Sequence, residues 1–298
     1  MFIKSIPIPI VCLALSLFSL GNLLDIPYLF AAMGVILLIL IILKVLIFPE
    51  DIKNDFKSSV LASSSGAFSM SLMLLSTCII GFVPIVSHSL WIIGIAMHIM
   101  LMIYFTHHFI IRNFNINDVY PTYWIVYVGI SMAAITAPAH GLKEIGFIFL
   151  IIGFISMIIT LPLMIYRYLK YPELPEAFKP TTCIFAAVIS ILIVGYINSA
   201  PTISIEFLIG LYAISLMFFM FSLYKLVKYR TLKFYPSFAA FTFPFVISGL
   251  ATKSIIKIVG SNTLLSSIQT IEILIAIVVV FYVLFEYYGF LNKNNSSL

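Results

Sequence analysis

Long apolar runs separated by short polar stretches fill the chain from end to end. Ten of them lie at approximately 6–24, 28–48, 62–86, 89–111, 119–138, 143–169, 177–199, 204–228, 234–254 and 264–290. Each is close to or above the roughly 20 residues that an α-helix needs to cross a bilayer. None shows the ten-residue alternation of a transmembrane β-strand. The pattern predicts an all-α polytopic membrane protein of ten transmembrane helices, with residues 1–298 forming one domain. The first run ends at Leu23-Leu24-Asp25 without a small-residue cleavage site, so it reads as the first span rather than a signal peptide.

The runs are not equivalent. The odd-numbered ones carry Pro7, Pro9, Pro84, Pro121, Pro138, Pro180, Pro236 and Pro244, whereas the even-numbered ones hold only Pro162. Serine and threonine follow the same alternation, with seven in the third run alone, from Ser63 to Thr77. The odd runs begin near 6, 62, 119, 177 and 234, a period of about 57 residues that marks an internal repeat. The predicted unit is a helical hairpin, one proline-broken, hydroxyl-rich helix followed by one plain apolar helix, used five times.

A proline within a bilayer helix frees a backbone carbonyl that a neighbouring helix, a hydroxyl or water must satisfy. The odd helices are therefore expected inside, around a central pore lined by hydroxyls, and the even helices outside against lipid. A solid bundle in which the prolines only shape packing is the alternative.

Composition narrows the function classes. Hydrophobic residues make up 62% of the chain and charged residues 9%, and the mean hydropathy is +1.18. A soluble domain carries about 25% charged residues, so a soluble enzyme, a nucleic-acid binder and a disulfide scaffold are excluded. Cys12, Cys78 and Cys183 all fall inside apolar runs and read as small buried hydrophobes. The net charge of +5 reports topology instead of a nucleic-acid partner. With both termini cytoplasmic, thirteen Lys and Arg face the cytoplasm and only Lys143, Lys253 and Lys257 face the other side, a strong positive-inside bias.

Catalytic and cofactor motifs are lacking. No phosphate-binding glycine loop and no zinc-type histidine or cysteine pattern occurs, so no cofactor or metal is expected. His98 and His107 are nine residues apart and point to opposite helix faces. The odd runs hold no mid-depth carboxylate, which removes the acidic ring expected of a cation pore. Glu272, in the tenth run, is the one buried acid; a packing role beside Gln269 or Lys257 is expected, with a proton relay as the alternative. An uncharged passage with basic ends suits small anions, and Lys143, Lys253 and Lys257 would add positive potential at the far mouth. In the ninth run Phe243 precedes Pro244 and lies one turn from Ala239, Ala240 and Ile247. A ring projecting there would occlude a narrow passage by sterics and dewetting. Phe241, about 200° round the helix, should face protein or lipid.

Several short motifs resemble the tellurite-resistance/dicarboxylate transporter family, which includes the bacterial TehA channels and the plant slow anion channels. Ala240-Phe241-Thr242-Phe243-Pro244 is similar to that family's ninth-helix motif, with Phe243 at its gating phenylalanine. Pro121-Thr122-Tyr123-Trp124-Ile125-Val126-Tyr127-Val128-Gly129, Leu20-Gly21-Asn22 and Lys179-Pro180-Thr181 fit in order along the chain. Tyr127 stands where the family often has a second proline. The resemblance implies five hairpins around a pore, a homotrimer in the cell membrane, a pore gate at Phe243 and pore bends at Pro244 and Gly129. It also implies passage of small anions, with tellurite or C4-dicarboxylates as substrates in some members. A passive channel is the first reading; a proton-coupled dicarboxylate carrier, with Glu272 as its coupling group, is the second.

Overall fold

The computed structural model describes residues 2–296, and no strand occurs among them. The outer helices are long and regular: α2 (Pro27–Ile47), α4 (Pro84–Arg112), α6 (Lys143–Lys170), α8 (Ile205–Tyr229) and α10 (Thr263–Ser296). Their starts carry ordinary signals. Pro27 and Pro84 open α2 and α4 where a missing N–H costs nothing. The side chains of Ser204 and Asn262 accept hydrogen bonds from Phe207 N–H (3.2 Å) and Leu265 N–H (2.9 Å), capping α8 and α10.

The inner helices are α1 (Ile10–Leu23), α3 (Ser59–Ile79), α5 (Tyr123–His140, in pieces), α7 (Glu176–Ser199) and α9 (Pro236–Val259). They are short or irregular. α7 and α9 begin as 3-10 turns, Glu176–Ile184 and Pro236–Phe241, before becoming α-helical. α5 is broken into Tyr123–Tyr127 and Met132–Thr136 by the 3-10 turn Gly129–Ser131 and ends in another, Ala137–His140. Among the described residues, eight helices are long and apolar enough to cross a membrane; α1 and α5 are the exceptions. The reason is proline and glycine: Pro7 and Pro9 hold back the start of α1, and Pro121, Gly129 and Pro138 interrupt α5.

Packing closes the inner helices into a ring. α1 packs on α3, α3 on α5, α5 on α7, α7 on α9, and α9 back on α1. Each outer helix lies against its hairpin partner and the next inner helix round, with α10 returning to α1. Within the most apolar stretch, 72%, 89% and 78% of α3, α7 and α9 is buried, against 28–33% of the outer helices. Every residue of α1 except Asn22 is buried. The alternation of plain and irregular helices in the sequence therefore corresponds to outer and inner layers.

Two expectations need correction. Pro84 does not belong to the third helix: α3 ends at Ile79, and Pro84 opens α4. The apolar run continues across that junction, so hydropathy alone does not reveal it. Pro244 does not kink a continuous helix either. It lies in the first turn of the α-helical part of α9, just past the 3-10 turn, where few N–H groups have helical acceptors.

The break in α5 has its own support. His98 of α4 donates from Nε2 to the Val126 carbonyl (2.9 Å), which the break deprives of its helical partner, and Nδ1 lies 2.7 Å from Ser69 Oγ on α3. Trp91 and Trp124 donate to Thr136 and Thr160, at 2.8 and 2.9 Å, tying α5 to α4 and α6. Gly153 of α6 lets Ser131 approach so closely that an added Cβ would sit 1.9 Å from its Oγ.

Candidate functional site

The ring encloses a narrow passage of two joined cavities. The mid-depth cavity, about 40 Å³, is lined by all five inner helices: Cys12 and Leu15 from α1, Ala67 and Met70 from α3, and Trp124, Val128 and Gly129 from α5. Ala187, Val188 and Ile191 of α7 and Ala239, Ala240, Phe243 and Pro244 of α9 complete the wall. The second cavity, about 90 Å³, lies at the end where the inner helices begin and shares Cys12, Ile125, Ile184 and Ala240 with the first. A cavity needs roughly 10–15 Å³ to hold one water, and apolar ones stay dry. The mid-depth neck, whose wall carries no charged side chain, thus has room for water but nothing to hold it.

Phe243, Pro244 and Gly129, singled out in the sequence, meet at this neck. The 3-10 segment of α9 turns Ala239, Ala240 and Phe243 to the same wall, and Phe243 is 8% exposed. Gly129 opens the break in α5 although Tyr127 replaces the second proline. An added Cβ at Gly129 would stand 2.9 Å from Met70 Sδ and 3.1 Å from His98 Cε1, so only glycine lets α5 come this close to α3 and α4. Phe241 faces the other way: fully buried, it packs on Phe238 with ring centroids 4.9 Å apart.

The expected hydroxyl lining is absent at the neck, and serines and threonines line only the wider cavity. Most of the inner-helix hydroxyls bond within their own helices: Ser16 to the Cys12 carbonyl, Ser71 to Ala67, Ser190 to Ala186 and Ser248 to Pro244, at 2.6–2.9 Å. Others link helix to helix, as in the Ser16–Thr242 contact and the Ser190 bonds to Ser215 (2.8 Å) and Ser248 (3.2 Å). These are back-bonds to carbonyls of their own or neighbouring helices, and the neck is left to aliphatic and aromatic groups. Leu15, Met70, Val188 and Ile191 are the neck residues that sequence reasoning missed. Their only sequence signal is the small-then-large spacing Ala67/Met70 and Ala187/Ile191, which parallels Ala240/Phe243.

Of the three lysines expected at the far mouth, Lys253 is engaged. Lys253 donates to the Asn22 and Leu23 carbonyls (3.2 and 2.9 Å) and pairs with Asp25 at 2.8 Å. It caps α1 and holds the Asp25 carboxyl below the usual range. Lys44, at the other end, donates to the Ile6 carbonyl (2.6 Å) and lies 3.5 Å from Asp55. Lys143 and Lys257 remain exposed. Glu272 is buried and faces Gly249 and Thr252 of α9, and Thr252 is 3.0 Å from the Tyr212 hydroxyl. It lines neither cavity.

The five-hairpin architecture has a counterpart among known families. The sequence model of SLAC1, described as voltage-dependent anion channel, matches residues 8–287, which is nearly the whole chain and all five hairpins. The chain belongs to the SLAC1 family. No curated protein matches it. Membership makes it a multi-pass membrane protein of an anion channel and transporter family.

Proposed function

We propose that this SLAC1-family protein is a passive channel for small anions, closed by the ring of Phe243. The observation that carries the reading is the position of Phe243 in the narrow, uncharged neck enclosed by all five inner helices. In this mechanism an ion reaches the neck through the wider cavity, sheds part of its hydration and waits for the ring to swing aside. Water withdraws from an apolar constriction, so the ring seals the passage without filling every part of it. The inner helices all start at the same end, and their N-terminal dipoles favour negative charge there.

The absence of a carboxylate from the lining residues supports anions over cations. The desolvation penalty rises steeply with charge, so monovalent anions are favoured over tellurite or C4-dicarboxylates. The positive-inside bias supports cytoplasmic termini, and the family resemblance supports a homotrimer in the cell membrane with one passage per subunit. The proton-coupled carrier has less support, because Glu272 sits between α9 and α10, away from the passage.

The test is the current across a planar bilayer holding the purified Phe243→Ala variant. Its reversal potential should follow the chloride gradient. A reversal potential that tracks potassium rejects the reading.

A further inference from the structure

The wider cavity is built from the first turns of all five inner helices. Pro9 before α1, Ser64 in α3, Thr122 before the first piece of α5, Thr181 in α7 and Ser237 in α9 all line it. Four of those helices run from 14 to 24 residues, long enough for the partial positive charge of their N-terminal N–H groups to act on the cavity. No acidic side chain lines it.

Three of the hydroxyls already donate to carbonyls: Ser64 to Val60 (2.7 Å), Thr181 to Phe178 (2.6 Å) and Ser237 to Ala177. Thr122 differs. It is 1% exposed, and its hydroxyl has no hydrogen-bond partner among the described residues. A buried hydroxyl left without a partner is unfavourable, so its presence in the wall of a polar-ended cavity points to something outside the protein that completes it.

A buried cation reinforces the site from behind. Arg167 is 1% exposed and donates to the Tyr171, Glu173 and Asn117 carbonyls, with no carboxylate in ion-pair range among the described residues. It lies over the Tyr120 ring at 5.8 Å, and that ring meets Phe178, a wall residue, at 5.2 Å between centroids. Its positive charge stands behind the Tyr120 and Phe178 rings on this side of the cavity.

We propose that this vestibule is a resting site for a small monovalent anion of the halide or nitrate class, which accepts a hydrogen bond from Thr122 Oγ1 and sits in the field of the inner-helix N-termini and Arg167 before passing Phe243. The proposal rests on the anion-channel reading and adds a saturable site to it. Thr122→Val is close to isosteric and removes a hydroxyl that bonds to nothing in the protein, so the fold loses nothing.

The experiment is conductance against chloride concentration in the Phe243→Ala background, with Thr122→Val or Thr122→Ser added. One hydrogen bond to a charged group is at stake. Half-saturation should move about tenfold higher in Thr122→Val and stay near the parent value in Thr122→Ser. An unchanged half-saturation in Thr122→Val, or an equal shift in both variants, overturns the site. A second measurement separates the site from the channel reading, because it needs no current. Crystals of the full-length protein soaked in bromide should give an anomalous peak beside Thr122 Oγ1, lost in Thr122→Val. If Phe243→Ala carries no anion current but the peak is present, the channel reading fails and the site stands. If the peak is missing, the site falls.

Discussion

Replacing Phe243 with alanine tests the gate directly, and the structure sets the size of the effect. In a solid core Phe→Ala costs about 3–5 kcal/mol. Phe243 is 8% exposed and has the neck cavity on one side, so its seat is worth about half of that, roughly 2 kcal/mol. Displacing the ring by thermal motion then leaves the neck clear only a few per cent of the time. Removing the ring should raise anion conductance about thirtyfold, since each 1.36 kcal/mol is a factor of ten. The same loss of packing should lower stability by about 2 kcal/mol, leaving the ring of helices intact. Planar-bilayer currents measure the first number and thermal unfolding in detergent the second. Phe241→Ala is the control. That ring is fully buried against Phe238, so its loss should cost the full core penalty of about 3–5 kcal/mol and leave the pore shut. If Phe241→Ala opens the passage and Phe243→Ala does not, the pore face of α9 is wrongly assigned. If neither opens it, the phenylalanine gate is refuted.

Three further outcomes are expected. In a Phe243→Ala background lacking Cys12, Cys78 and Cys183, cysteines at Ala67, Ala187 and Ala240 should react with water-soluble thiol reagents, and cysteines at the exposed outer positions Ile151, Ile214 and Leu274 should not; equal labelling of both sets would sink the ring-shaped pore. Glu272→Gln should leave the anion current unchanged and no proton flux should accompany it, whereas loss of a proton-driven dicarboxylate uptake would favour the carrier. Gly129→Ala should destabilise the protein by about 1–3 kcal/mol, because its Cβ would press on His98 and Met70; a thermal midpoint equal to the parent's would remove the close approach of α5 from the account.

The sequence by itself determined the membrane class, the five hairpins and the division into inner and outer helices. These follow from runs of apolar residues, a 57-residue period and the restriction of most prolines and hydroxyls to every other run, and all of that is local pattern. The resemblance carried by Pro121 to Gly129 and by Ala240 to Pro244 was likewise legible along the chain. What only the tertiary structure decided is where those side chains point. A serine on a helix can turn its hydroxyl to a passage or to the carbonyl four residues back, and the sequence reads the same in both cases; in the folded ring Ser16, Ser71, Ser190 and Ser248 take the carbonyls. Glu272 meets Thr252 beside Tyr212 because α8 and α10 both lie against α9. The neck itself joins residues from every inner helix, among them Leu15, Met70, Val128, Ile191 and Phe243. No periodicity in one helix can show that set, since it exists only once five helices separated by about 57 residues close on one another.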